Sequence, residues 1–149
     1  MIIALGADHG GFPVKAALHR LLARLGHTVL DFGTDSDAST DYPDYARRVG
    51  VAVARGKADR GLLICGTGIG MSIAANKVPG VRAAVVWSDK TAALAAEHNG
   101  ANVLCLGARV HSRAAVERMV KIWLSTPFGE GRHVRRLKKI ARMEKGGTR

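Results

Sequence analysis

The chain has few aromatic residues, few cysteines and few acids, and each shortage excludes something. Phe, Trp and Tyr together make up 5% of its 149 residues, too little to build a surface on which nucleic-acid bases stack. The two cysteines, Cys65 and Cys105, sit in apolar surroundings without Cys-x-x-Cys spacing, which argues against a disulfide scaffold and against a zinc site. No apolar run approaches the roughly 18 to 20 residues that span a bilayer, and the N-terminus lacks a basic region followed by an apolar signal core. A cytoplasmic chain with reduced thiols, no metal and no membrane partner is expected. Low-complexity tracts, fixed-period repeats and long linkers are missing too, so a single domain over residues 1–149 is expected.

The chain contains 47% apolar residues, enough for one real core, and a large excess of positive charge, with 23 Lys and Arg against 12 Asp and Glu for a net of +11. Such a balance suits a polyanionic partner or a small anionic substrate. Its location is uneven. Residues 132 to 149 hold eight basic side chains, from Arg132 to Arg149, against the one acid Glu144, a net of +7.

Short apolar runs alternate with longer amphipathic ones, the pattern of β-α-β units around a parallel sheet buried on both faces. Five strands are expected: Ile2–Leu5, Thr28–Phe32, Gly61–Ile64, Arg82–Val86 and Asn102–Leu106. Helices are expected over Pro13–Leu25, Pro43–Arg55, Gly70–Asn76, Asp89–Asn99 and Ser112–Leu124, several stopped by glycine. The break Pro127-Phe128-Gly129 separates an α/β body, residues 1–126, from a basic extension, residues 127–149. Gly131–Lys145 in that extension has a helical stripe of Val134, Leu137, Ile140 and Ala141 that needs covering, by its own body or across a subunit interface.

In an open parallel sheet, ligands bind beyond the carboxyl ends of the strands. After the first strand comes Gly6-Ala7-Asp8-His9-Gly10-Gly11; after the third, Cys65-Gly66-Thr67-Gly68-Ile69-Gly70; after the fifth, Gly107-Ala108-Arg109. The alternating Gly66, Gly68 and Gly70 before a helix let backbone N–H groups converge on an oxyanion or phosphate. By themselves they fit a tight strand-to-helix turn equally well. They match neither the dinucleotide fingerprint, which needs glycine where Met71 stands, nor a P-loop, which needs a following Gly-Lys-Ser/Thr.

Cys65 at the mouth of this loop is placed where amides and a helix start favour a thiolate, a usable base, although a buried cysteine that merely ends a strand is commoner. Cys105 fits that second description. Asp8 and His9 offer an acid-base group and a donor at a strand end, or the hydrogen bonds of a turn. His98 and Asn99 end a helix, where capping is the simplest reading. Arg132 and Arg136, four apart on one helix face, can grip one phosphate or be solvated. His19, His27, His111 and His133 join no constellation and read as surface or structural.

Together these segments resemble the ribose-5-phosphate isomerase B and galactose-6-phosphate isomerase family of sugar-phosphate isomerases over nearly the whole chain. The carriers are Ala7-Asp8-His9-Gly10-Gly11, Thr40-Asp41-Tyr42-Pro43, Gly61 to Lys77, Gly80-Val81-Arg82-Ala83, Glu97-His98-Asn99, Leu106-Gly107-Ala108-Arg109, and Gly131-Arg132-His133 with Arg136. The resemblance implies a Rossmann-like three-layer α/β/α sandwich with a five-stranded parallel sheet. It also implies a homodimer or homotetramer, with the C-terminal helix packing across the interface and each site built from two subunits.

The resemblance further implies interconversion of ribose 5-phosphate and ribulose 5-phosphate through an enediolate, without metal or organic cofactor. Cys65 would be the base; some relatives have serine with a nearby glutamate, and Cys65 with Ile69 here points to the thiolate version. The amides of Gly66, Thr67, Gly68, Ile69 and Gly70 would hold the enediolate oxygen, and Thr67 would relay a proton. His98, with Asp8 nearby, would open the sugar ring, and Asn99 would bind a hydroxyl. His9, Arg109, Arg132 and Arg136 would hold the phosphate, and Tyr42 would line the pocket. A six-carbon sugar phosphate, allose or galactose 6-phosphate, is the alternative substrate. A nucleic-acid-binding module, the alternative from another class, leaves Asp8, Cys65 and His98 unused, and no nucleic-acid partner is expected.

Overall fold

The computed structural model describes residues 1–146; Arg149, counted above in the basic tail, lies outside the described residues. The order is β1 (Ile2–Ala7), α1 (Phe12–Arg24), β2 (Thr28–Asp31), α2 (Tyr42–Ala54), β3 (Arg60–Cys65), α3 (Ile69–Ala75), β4 (Ala83–Val85), α4 (Asp89–Glu97), β5 (Val103–Gly107), α5 (Arg113–Ser125) and α6 (Arg132–Glu144). The five strands form one parallel sheet in the order β2-β1-β3-β5-β4. The expected strands and helices are all present, with ends displaced by a residue or two. The fold is the Rossmann-like α/β/α sandwich.

β1, β3 and β5 are buried almost throughout because helices cover both faces. On one face Leu18 and Leu22 of α1, Ala92 and Ala96 of α4, and Val116, Val120 and Trp123 of α5 pack on Ile3, Leu5, Leu62, Ile64, Leu104 and Leu106. On the other, Ala46, Val49 and Val53 of α2 and Met71 and Ala75 of α3 pack on Ala4, Leu63, Val103 and the two cysteines. Burying each large aliphatic side chain contributes about 1.5–3 kcal/mol. α2 approaches the sheet closely because Gly6 and Gly61 leave room for Val49; a methyl on either would lie 2.8 or 2.7 Å from a Val49 carbon.

This arrangement fixes where a site can form. α1 leaves β1 toward one face, whereas α3 leaves the adjacent β3 toward the other. The carboxyl ends of β1 and β3 therefore flank a topological switch point, where a crevice opens between diverging helices.

α6 departs in one respect from its expected stripe. Its buried residue is His133, while Ile140 and Met143 are 41% and 66% exposed. Leu137 and Phe128 instead close on Gly100 at the end of α4, and Glu144 accepts hydrogen bonds from the Gly80 amide. The contacting face is thus His133 and Leu137, one turn apart. No helix of the described residues is long and apolar enough to cross a membrane.

Candidate active site

The loops after β1, β3 and β5 meet at the switch point, joined mainly by backbone. The Asp8 amide donates to the Ile64 carbonyl at 3.3 Å, the Ala108 amide to Cys65 O at 2.9 Å and the Arg109 amide to Gly66 O at 3.0 Å. Glycine is required where the loops touch. A methyl on Gly11 would overlap the Ile64 carbonyl, one on Gly10 would lie 2.9 Å from the Gly66 nitrogen, and one on Gly107 2.8 Å from Thr67.

Cys65 ends β3 with its side chain toward α2 and α3, 6% exposed. Gly68, left-handed at φ +83°, turns its amide onto the Cys65 sulfur at 3.1 Å, the kind of bond a thiolate accepts. Ile69 donates its amide to Thr67 Oγ1 at 3.3 Å. Gly70, second in α3, is among the helix-start amides without a partner inside the helix. The Tyr42 ring covers Gly70, where a methyl would meet it at 2.6 Å, and the Arg109 side chain lies along Gly66. Cys105, one strand away, is fully enclosed; burial, then the neighbouring Cys65, push its thiol well up.

Asp8 is buried, and its Oδ1 accepts the amides of Gly10 at 2.9 Å and Gly11 at 3.1 Å, anchoring the turn into α1. His9 is half-buried, and its Nδ1 accepts the Thr40 amide at 3.2 Å. Cys65, Gly66, Thr67, Gly68, Ile69, Gly70, Asp8, His9, Tyr42 and Arg109 therefore share the carboxyl end of the sheet.

His98, Asn99, Arg132 and Arg136 do not. α4 runs back against the strands, so His98 and Asn99 come just before β5, beside Arg82, whose guanidinium donates to Gly100 O at 2.8 and 3.0 Å. Cys65 pairs with Gly107 at the far end of β5 from Val103, about 13 Å along the strand at 3.3 Å per residue. Asp8 of the same chain is accordingly not beside His98. Within this second group, Arg132 and Arg136 are exposed on the first turns of α6.

The second group also contains His133, which by sequence joins no constellation. The His133 ring stacks on His98 with centroids 4.4 Å apart at 14°, and Phe128 meets it edge-on. Loss of solvation, then His98, Arg132 and Arg136, hold His133 below the ordinary imidazole value, against the opposing pull of Glu97. Its spacing to Leu137 is the signal that could have placed it on the covered face. Among the described residues, no group of three or more His, Cys, Asp or Glu side chains is arranged to share a metal ion.

Comparison with known proteins gives the same picture along the whole chain. The family model described as Ribose/Galactose Isomerase matches residues 3–140. Ribose-5-phosphate isomerase B of Escherichia coli is 45% identical over 142 residues, covering 95% of each chain. Among solved structures, ribose-5-phosphate isomerase B of Clostridium thermocellum superposes with a TM-score of 0.96 at 47% identity, covering 98% of this chain and 99% of that one. The Mycoplasma genitalium ribose-5-phosphate isomerase B, solved with bound ribulose-5-phosphate, gives 0.94 at 44% identity, covering 97% and 96%. With both loops of the switch point and the first turns of the basic C-terminal helix inside the family match, the chain belongs to the ribose/galactose isomerase family.

Proposed function

We propose that the protein interconverts ribose 5-phosphate and ribulose 5-phosphate, with Cys65 as the base. The observation that carries this reading is the Cys65 sulfur at the mouth of the glycine loop, accepting the Gly68 amide at 3.1 Å in the crevice where the sheet reverses. Full-length similarity to proteins named ribose-5-phosphate isomerase B supports it.

In this reading the thiolate takes the proton from C2 of the open aldose. The electron pair forms the C1–C2 double bond, and charge gathers on O1, held by the loop amides of Gly66, Thr67 and Gly70, those of Gly68 and Ile69 already serving Cys65 and Thr67; such preorganised donors typically contribute about 3–4 kcal/mol each. Thr67 relays the O2 proton to O1, and the thiol returns its proton to C1, giving the ketose. Ring opening falls to His98, which moves a proton from the anomeric hydroxyl to the ring oxygen, with Asn99 on a sugar hydroxyl. His9, Arg109, Arg132 and Arg136 hold the phosphate, whose binding energy positions the reacting carbons.

Since His98, Asn99, Arg132 and Arg136 lie at the other end of the sheet from Cys65, the complete site takes Cys65, Asp8, His9, Tyr42 and Arg109 from one chain and those four from a second copy. A homodimer, or a tetramer built from such dimers, is the assembly this requires, with the exposed Ile140 and Met143 of α6 available to the interface. Isomerisation in deuterated water tests the chemistry: the wild type exchanges the C2 proton while turning substrate over. Equal turnover by Cys65→Ala would sink the reading.

A further inference from the structure

We infer that Lys15 is a positioning residue for His9, acting through the long connection between β2 and α2. That connection, Phe32 to Asp41, has ten residues, about twice the usual length of a link inside a compact domain, and its far end supplies the amide that His9 accepts. What fixes it therefore fixes His9.

Lys15 lies on the first turn of α1 and is 6% exposed. Its ammonium sits 3.0 Å from Asp31 Oδ2 and 3.2 Å from Asp35 Oδ1, one at the end of β2 and one inside the connection. Its stem closes over Gly33, where a methyl would meet both Lys15 Cδ and the Ala7 nitrogen at 2.8 Å. Asp31 Oδ1 accepts the Gly33 amide at 2.9 Å, and the Thr34 amide donates to Ala7 O at 2.9 Å. The near half of the connection is thus bound to the end of β1, immediately before Asp8 and His9. The far half returns at Thr40, whose amide donates to His9 Nδ1 at 3.2 Å.

A neutral imidazole whose Nδ1 accepts carries its proton on Nε2. The clamp therefore selects the tautomer that presents an N–H away from Thr40, the form that can donate to an anionic group. The use of that donor for the substrate phosphate rests on the function proposed above; the selection of the tautomer does not.

Lys15→Met keeps the buried stem and removes the charge. Nitrogen-15 NMR of the imidazoles, with the His9 signals assigned by their loss in His9→Gln, reads the tautomer in the substrate-free protein. The wild type should show one tautomer with the proton on Nε2, and Lys15→Met a mixture. KM for ribose 5-phosphate should rise about three- to tenfold, the worth of one hydrogen bond, with kcat nearly unchanged. Asp35→Asn, at a side chain 98% exposed, should produce a smaller shift of the same kind and serves where Lys15→Met fails to fold. A wild-type tautomer pattern in a folded Lys15→Met, or in Asp35→Asn where Lys15→Met does not fold, would overturn the inference. A mixed pattern with unchanged KM would uphold it and remove His9 from the phosphate site.

Discussion

The rings of His98 and His133 lie nearly parallel, 4.4 Å between centroids, with His133 buried beneath. Loss of solvation disfavours a charged His133, two cationic imidazoles cannot share this contact cheaply, and Arg132 and Arg136 add to the repulsion. His133 therefore binds a proton less readily folded than unfolded. Its contribution to stability is complete above about pH 6.5, the unfolded value, and is lost as the pH falls toward the lowered folded value. Melting temperature measured from pH 8 to 5 should fall less steeply below pH 6.5 for His133→Gln than for the wild type; parallel curves would contradict the assignment.

A site shared between two copies makes a prediction about mixtures. Cys65→Ala and His98→Asn should each be nearly inactive alone. In a two-fold dimer the mixed species holds one doubly defective site and one intact site, so equal mixing with free exchange restores about a quarter of wild-type activity. Mixtures no more active than their parents would show that each chain supplies its own site.

The two thiols should part company chemically. Iodoacetamide should modify Cys65, at the crevice with an amide on its sulfur, and spare Cys105, whose enclosed thiol resists ionisation. Peptide mapping by mass spectrometry after limited reaction distinguishes them, and ribose 5-phosphate should slow the reaction at Cys65. Preferential labelling of Cys105 would count against the thiolate role.

Gly68 carries φ +83° and has Leu106 and Val85 within 3.1 Å of any added methyl. Gly68→Ala should cost about 1–2 kcal/mol in backbone strain alone, roughly 2–8 °C in melting temperature for a chain of this size. It should also lower kcat by moving the amide that meets Cys65. Scanning calorimetry with steady-state kinetics checks both, and an alanine variant matching the wild type in both would show that the turn is dispensable.

The α/β architecture was legible because each strand that forms the centre of the sheet is a short apolar run and each helix has a visible stop, such as Gly26 after α1 or Gly100 after α4. The loops at the switch point were legible for a related reason: close backbone packing demands glycine, and the glycines stand out. Relationships carried by long-range contacts were not. Lys15 reads as an ordinary helical lysine until Asp31 and Asp35 are brought to it, and His133 reads as surface until α6 folds onto the end of α4. The apolar stripe gave the helix and Leu137 on its covered face but not His133, which is buried only when α6 docks onto the end of α4, while Ile140 stays exposed in the single chain.

The two main-chain bonds from the loop after β5 to Cys65 and Gly66 join the proposed base and the backbone that carries Arg109 into one rigid piece. Within a single copy, the separation between the sulfur of the proposed base and the root of Arg109, the proposed phosphate ligand, behaves as a fixed gauge length. A sugar with one more carbon then gains no slack from these loops. In the two-copy site proposed above, accommodation of a longer substrate has to come from how far the second copy's Arg132 and Arg136 stand off, so size selection would become a property of the docking distance between copies, tunable by residues remote from the chemistry.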